Sequence, residues 1–235
     1  MDLKKIKPAV YFIACLFSIS MQAQSVSSPY SEVNGKIVIS QFQSLDGNCT
    51  ENEIFLNALL WVIQNIPQTK EKVLQADYDK KQFIITLMSG NPKTASHYRY
   101  SLSVKVSGNI ITMLASDITY EAEAAVVKFV KRLSFEKLQP DKKPKHKEYL
   151  DEFAKIYKDC VTRILKFAST NSLPTITHWD EIKCKEVVKG MNQAECLLSF
   201  GKPASIQKQD NKEEWMYDTY TYLFFENGTV TSIIK

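Results

Sequence analysis

The sequence KGMNQAECLLSFGKP, residues 189–203, carries the most specific order of turn and cap signals in the chain. Asn192 and Glu195 form a capping box, in which the first side chain accepts a hydrogen bond from the amide three residues on and the glutamate accepts one in return. Gly201 and Pro203 are typical of the end of a helix. The stretch therefore predicts a short helix with one apolar face. The residues of that face are Ala194, Leu197 and Leu198.

Turn signals continue from this helix to the last residue. Asn227-Gly228 lies between two apolar runs and is the strongest short-range sign of a hairpin, because a type I′ turn needs positive φ at both central residues. Residues 178–235 are expected to form a small antiparallel module of two helices and three strands, which a linker at 171–177 joins to the rest. The other predicted elements are a helix over Asp180 to Val188 and strands around Glu213 to Tyr217, Tyr220 to Phe225 and Thr229 to Ile234.

The motif order of this module resembles a known family. Gly-Met-x-x-x-Glu, Phe-Gly-Lys-Pro, Trp-x-Tyr and Tyr-Leu-Phe-Phe-x-Asn-Gly-x-Val follow one another as in the SmpA/OmlA outer-membrane assembly lipoproteins and the related β-lactamase-inhibitor-like modules. The resemblance implies two helices on an antiparallel sheet and a role in envelope assembly. The family's usual threonine cap is Asn192 here, which is chemically equivalent.

Residues 1–23 have the composition of a signal peptide. An apolar region, Ala9 to Ile19, precedes a small-residue cleavage site at Met21-Gln22-Ala23. The positive residues before it are Lys4, Lys5 and Lys7. The mature chain would then begin near Gln24, and residues 24–32 would form a polar spacer.

Two alternatives to a free N-terminus near Gln24 exist. A membrane anchor needs about 20 apolar residues, and Ser18, Ser20 and Gln22 interrupt this run. Lipidation at Cys15 is the second alternative, because Ile13-Ala14-Cys15 loosely resembles a lipoprotein box, but the apolar run continues beyond it. We therefore predict an exported protein, and the SmpA/OmlA resemblance implies the periplasm or outer membrane of a Gram-negative bacterium. Association at a membrane surface is a further alternative.

The charge of the chain argues against nucleic acid as a partner. The chain has 30 basic and 26 acidic residues, and setting aside the three lysines and the aspartate of residues 1–23 leaves 27 and 25, a mature charge of +2. Nucleic-acid-binding domains concentrate basic residues on one face. The short run at 141–147 contains a proline and is followed by acids, so we interpret it as a solvated connection.

Four cysteines remain in the mature chain: Cys49, Cys160, Cys184 and Cys196. Export permits disulfides, and Cys184 and Cys196 are the one pair close enough in sequence to suggest a bond. The alternative is that all four are small buried apolar side chains.

Residues 33–170 show the alternation and spacing of an α+β domain. A strand near 35–42 precedes a second capping box, Thr50 with Glu53, and its helix stops before Pro67. Segment 121–138 is ambiguous, because its alanines favour helix and its β-branched residues favour strand. The remaining predicted elements are strands over Val73 to Tyr78, Gln82 to Met88, His97 to Ser107 and Ile110 to Tyr120, and a long amphipathic helix over Tyr149 to Phe167.

This element order, with Tyr98-Arg99-Tyr100-Ser101-Leu102 and Phe135-Glu136-Lys137-Leu138 within it, resembles an exported domain of unknown function with a TBP-like fold. The resemblance implies a TBP-like antiparallel sheet covered by a long packing helix. A fold does not carry its function with it, and the signal peptide and the mature charge argue against DNA.

No catalytic, metal or cofactor motif is recognisable. His97, His146 and His178 lie in separate segments without ligands at metal spacing, and no phosphate-binding loop or nucleophile elbow is present. We therefore expect a protein that is not an enzyme, and a hydrolase built from distant residues is a minor alternative.

The leading hypothesis is a non-catalytic envelope protein that binds an unidentified envelope protein. Aromatic side chains supply large contact area at interfaces, and the candidate binding residues are Trp215, Tyr217, Tyr220 and Tyr222. Half of them could instead belong to the core. A second hypothesis is a carrier of a small apolar ligand in a cavity under the long helix. The oligomeric state is left open.

Overall fold

The computed structural model describes residues 30–33, 35–45, 49–66, 74–91, 96–123, 130–140, 142–170 and 173–235. The signal peptide, Cys15, most of the spacer and the first two residues of the linker lie outside these ranges. In the described ranges, no helix combines the length and the apolar character needed to cross a membrane.

The first module is built on an antiparallel sheet. Its strand order is β1-β2-β6-β5-β4-β3, and β7 pairs with the end of β6. The strands are β1 (Ser31–Val33), β2 (Lys36–Ser44), β3 (Gln75–Asp77), β4 (Gln82–Asn91), β5 (Ser96–Ser107), β6 (Ile110–Glu123) and β7 (Val130–Ser134). The predicted alternation places one face of these strands in the core and leaves the other open.

Segment 121–138, for which the sequence favoured neither helix nor strand, contains the end of β6 and the whole of β7. Glu123 ends β6, β7 follows from Val130, and a single 3-10 turn covers Phe135–Lys137. Residues 124–129 lie outside the described ranges. At Ala122, pairing with Lys131 of β7 therefore outweighs the helix propensity of alanine.

Two helices cover one face of this sheet. Helix α1 (Glu51–Asn65) begins at the predicted capping box. The Glu53 amide donates to Thr50 Oγ1 at 3.3 Å, and the Thr50 amide donates to Glu53 Oε2 at 2.7 Å. Helix α2 (Pro144–Thr170) is the predicted long helix, extended by about one turn at its start. Its buried stripe is Leu150, Phe153, Tyr157, Val161 and Ile164.

Aromatic rings fill the space between α2 and the sheet. Tyr98, Tyr100 and Phe135 surround Phe153, with ring centroids 4.9–5.6 Å from its own. All four residues are at most 1% exposed. The hydroxyl of Tyr157 also donates to the Met113 carbonyl at 2.8 Å. The helix therefore packs flush on the sheet at these positions, which counts against a ligand cavity there.

The second module places two short helices on a sheet of four strands. Helix α3 (Trp179–Cys184) and helix α4 (Gln193–Phe200) precede strands in the order β11-β10-β9-β8. The strands are β8 (Ser205–Gln209), β9 (Lys212–Met216), β10 (Tyr222–Glu226) and β11 (Thr229–Ile234). Asn227 and Gly228 have φ of 52° and 78°, so the predicted hairpin turn is confirmed. The module thus has one strand more than the three predicted, and β8 is the addition.

The mixed α+β architecture is confirmed, with two antiparallel sheets and a long helix. The two modules also share one hydrophobic core, which runs from α1 and the first sheet to Trp215, Leu223 and Phe225 of the second. Residues 30–170 and 173–235 are therefore packed against each other. We call their contact the module junction.

Candidate binding groove between the two modules

Side chains of the first module hold the second in place across the module junction. The Tyr78 hydroxyl donates to the Leu198 carbonyl at 3.2 Å, and its ring packs edge-on against Trp179 with centroids 6.0 Å apart. Burial raises the pKa of Tyr78 to about 12, so this hydroxyl keeps its proton. An exposed ion pair between Lys183 and Asp79, at 3.0 Å, lies beside this contact.

A groove of about 600 Å³ opens at this junction. Its size lies within the range of known ligand sites. The residues that line it come from both modules: Asn57, Leu60, Gln64, Phe167, Leu173, Pro174, Asn192, Gln193, Ala194, Leu197, Lys202, Pro203, Ile206, Lys208, Glu213, Trp215 and Gly228. We call it the junction groove.

The floor of the junction groove is apolar and one wall is an exposed strand. Leu60, Leu197 and Trp215 are 3–7% exposed. Ile206 on β8 is 45% exposed, which is unusual for isoleucine beside a core. The junction groove therefore offers apolar surface that this chain does not cover.

The one carboxylate of the junction groove is already bonded within it. The Trp215 indole Nε1 donates to the Glu213 carboxylate at 3.0 Å, and the Lys208 ammonium donates to the same carboxylate at 2.9 Å. Burial would raise the pKa of Glu213, but hydrogen bonds from Lys208, Trp215 and Gln193 outweigh it and lower this pKa. Lys202 donates to the Gln64 carbonyl at 2.7 Å on the first-module side. With two lysines and one ionised glutamate, the lining carries net positive charge.

A buried glutamate fastens the linker to α4 beside the junction groove. Glu195 is 1% exposed and completes the predicted capping box with Asn192. Its carboxylate also accepts from the Thr177 amide at 2.6 Å and the His178 amide at 3.0 Å. Burial would raise the pKa of Glu195, but hydrogen bonds from the Thr177, Asn192 and His178 amides outweigh it and lower this pKa. The sequence predicted the capping motif, but it gave no sign that Glu195 also accepts hydrogen bonds from the linker.

The four predicted binding aromatics do not form one exposed surface. Trp215 is 3% exposed, packs on Phe225 at 4.6 Å and contributes only to the floor of the junction groove. Tyr217 is half-buried, and its hydroxyl donates to the Gly201 carbonyl. Tyr222 precedes Leu223, the partner of Trp215 across the sheet, so it belongs to the opposite face. Tyr220 alone of the four is largely exposed, at 76%.

The predicted bond between Cys184 and Cys196 is not formed. Both thiols are free, because Cys184 is exposed at the end of α3 while Cys196 is fully buried in α4. Burial raises the pKa of Cys196 to about 12 and that of Cys160 to about 11. These two thiols therefore stay protonated and are poor nucleophiles at neutral pH.

The open face of the first sheet carries one compact ionic cluster. The carboxylate of Glu121, whose side chain is 6% exposed, lies 3.0 Å from His97, 3.5 Å from Arg99 and 3.2 Å from Arg132. These residues join β5, β6 and β7, so the cluster fastens β7 to the sheet. Among the described residues, no group of histidine, cysteine and carboxylate side chains is arranged to hold a metal ion.

Comparison with known proteins identifies a fold. No protein-family model matches the chain, and no curated protein matches it. A TBP-like protein from Parabacteroides distasonis is similar in structure, with a TM-score of 0.52 and 16% identity over 60% of this chain and 98% of that one. A DUF4468 family protein from Bacteroides ovatus aligns with a TM-score of 0.46 and 13% identity, over 63% of this chain and 96% of that one. The first similarity confirms the predicted TBP-like fold.

Proposed function

We propose that this protein is a non-catalytic, exported cell-envelope protein that binds another protein through the junction groove. The observation that carries the proposal is the exposed apolar strand residue Ile206 above a floor of buried apolar side chains. A concave site of this volume with an apolar floor is typical of binding sites.

Two features of the sequence support an accessory or assembly role in the envelope. Residues 1–23 have the composition of a signal peptide. Residues 178–235 resemble the SmpA/OmlA modules in motif order, and such modules serve envelope assembly. The carrier hypothesis receives less support, because aromatic rings occupy the contact between α2 and the sheet.

Site-specific photo-crosslinking in cells tests the proposal. A benzoylphenylalanine placed at Ile206 is expected to give one discrete protein adduct. The matched control is Ile234, which is 51% exposed on the other edge strand of the same sheet. Gln193→Trp, which adds an indole inside the junction groove, should abolish the adduct at Ile206. Equal adducts at both positions, or none at Ile206, would overturn the proposal.

Export is tested separately by the mass of the mature N-terminus. A free N-terminus at Gln24 is the expected result, whereas an acylated Cys15 at the mature N-terminus would mean that the protein is anchored by lipid. A full-length cytoplasmic chain would contradict an envelope function altogether.

A further inference from the structure

The wall of the junction groove formed by β8 is a strand edge. In the described part of the chain, β8 pairs with β9 alone, from Ser205 opposite Met216 to Gln209 opposite Lys212. The backbone groups on its other side have no ladder partner there. A strand edge of this kind can accept an added extended segment through main-chain hydrogen bonds.

β8 is short and contains Lys208, but it lacks two other usual protections of an edge strand. The strand contains no proline, and its pairing with β9 runs without a register shift. The opposite edge of the same sheet differs, because Gly190 donates to the Val230 carbonyl and Val230 donates to the Met191 carbonyl, both at 2.9 Å. The chain itself thus covers the start of β11, while β8 stays open beside the groove.

The side chains of β8 specify what an added strand would carry. Ile206 and Lys208 are opposite Trp215 and Glu213, so both belong to the groove face, and Gln207 between them belongs to the other face. A partner strand would therefore place an apolar side chain opposite Ile206 and, two residues away, a side chain opposite Lys208.

The charge of the groove lining determines which partner side chain is favoured opposite Lys208. The Lys208 side chain is 64% exposed, whereas the Glu213 side chain is 15% exposed and already accepts from Trp215 and Lys208. Lys202 adds a second cation to the lining. An acidic side chain opposite Lys208 is favoured and a basic one is disfavoured, since cross-strand pairs of opposite charge stabilise a sheet.

We propose that the junction groove binds an extended acidic polypeptide segment, which adds to β8 as a fifth strand and presents an apolar and an acidic residue two positions apart to Ile206 and Lys208. This inference rests on the proposed function and names the class of partner. It goes beyond the proposed function because main-chain hydrogen bonds to the β8 edge, and not the volume of the groove alone, would recognise the partner.

A designed peptide tests this mode directly. The probe is a fluorescein-labelled heptapeptide of threonines with glutamate at the second and sixth positions and valine at the fourth, so that one face carries Glu, Val and Glu. Its affinity for the full mature chain is measured by fluorescence anisotropy at low salt. We expect saturable binding, at least tenfold weaker when both glutamates are replaced by lysine. A version N-methylated on every amide has no donor on either edge, cannot form the ladder and should not bind.

Variants of the protein separate charge from fold. Lys208→Glu should weaken the acidic peptide at least tenfold and strengthen the lysine peptide. Lys212→Glu is the matched control, because Lys212 is exposed on the opposite face of β9, and it should leave both affinities unchanged. An unchanged melting temperature shows that each variant is folded.

Any of three peptide results would overturn the proposal: no binding up to millimolar peptide, equal binding of the acidic and lysine peptides, or equal binding of the N-methylated peptide. A concentration-dependent dimer that Ile206→Ser abolishes would assign the edge to a second copy of this chain and would also overturn it. The crosslinking at Ile206 described above is independent of these outcomes, so the groove can remain a protein-binding site even when the strand mode fails.

Discussion

Two interfaces of this molecule contain helices: the contact between α2 and the first sheet, and the module junction. The first is tightly packed, whereas the second leaves a groove open. At the first, Phe153 and its aromatic neighbours leave no exposed apolar surface. At the second, part of the shared hydrophobic core and a few polar bonds hold the modules together around a groove of about 600 Å³. We therefore expect the packing around Phe153 to contribute mainly to stability, and we propose the module junction as the site. We expect four variants to test this difference, with effects on stability that decrease in the order given.

Phe153→Ala should cost the most stability. Removing a fully buried phenylalanine ring leaves a cavity, and such changes cost about 3–5 kcal/mol. Urea unfolding followed by circular dichroism measures the loss. Phe42→Ala is the control, since Phe42 is 61% exposed and should change the free energy of unfolding by less than about 0.5 kcal/mol. A loss below about 1 kcal/mol for Phe153→Ala would mean that the α2 interface is not the tightly packed core described.

Glu195→Gln should have the next largest effect. The carboxylate accepts several amide hydrogen bonds in a buried position, and bonds to charged groups contribute about 1.5–3 kcal/mol. Because the pKa of Glu195 is lowered on folding, its stabilisation is present above the ordinary value of 4.5 and is lost as the pH falls through the folded-state pKa. The difference in unfolding free energy between wild type and variant should therefore be full at pH 7 and shrink under acid. A difference that is the same at pH 7 and under acid would contradict this role.

Tyr78→Phe probes the module junction itself. The change removes one hydroxyl and its bond to the Leu198 carbonyl but keeps the ring against Trp179. A loss of about 1 kcal/mol is expected. Hydrogen exchange of α4 amides should show the loss as faster opening of the second module. Unchanged exchange in α4 would show that this bond does not couple the modules.

Ile206→Ser should change stability least and binding most. Its side chain is 45% exposed, so the free energy of unfolding should fall by no more than about 0.5 kcal/mol. Affinity for the acidic peptide should nevertheless fall at least tenfold, while Ile234→Ser should leave it unchanged. A large loss of stability without a loss of affinity would move Ile206 from the site into the core.

Much of the fold could be predicted because short local motifs in the sequence specify it. Both capping boxes begin helices where Thr50 and Asn192 stand, and Asn227-Gly228 turns the final hairpin. Alternation located β5 and β6, because one face of each carries large apolar side chains that are almost fully buried. These features depend on residues a few positions apart.

The parts that escaped prediction depend on distant residues. Strand β8 has the sequence SIQKQ with a single apolar residue, so it shows too little alternation to be recognised before β9 is beside it. Trp215 was predicted as a candidate binding residue with the core as the alternative, and its face of β9 is covered by the second module's own core. The junction groove joins Gln64 to Lys202 across 138 positions, and no local pattern reports such a meeting.

The central claim is that binding takes place at the β8 side of the module junction. Hydrogen–deuterium exchange of the full mature chain, with and without saturating acidic peptide, tests it most directly. The account predicts slower exchange concentrated in residues 205–209, with α2 and β11 unchanged. Protection on β11, protection on the open face of the first sheet, or no protection at β8 despite binding would contradict it.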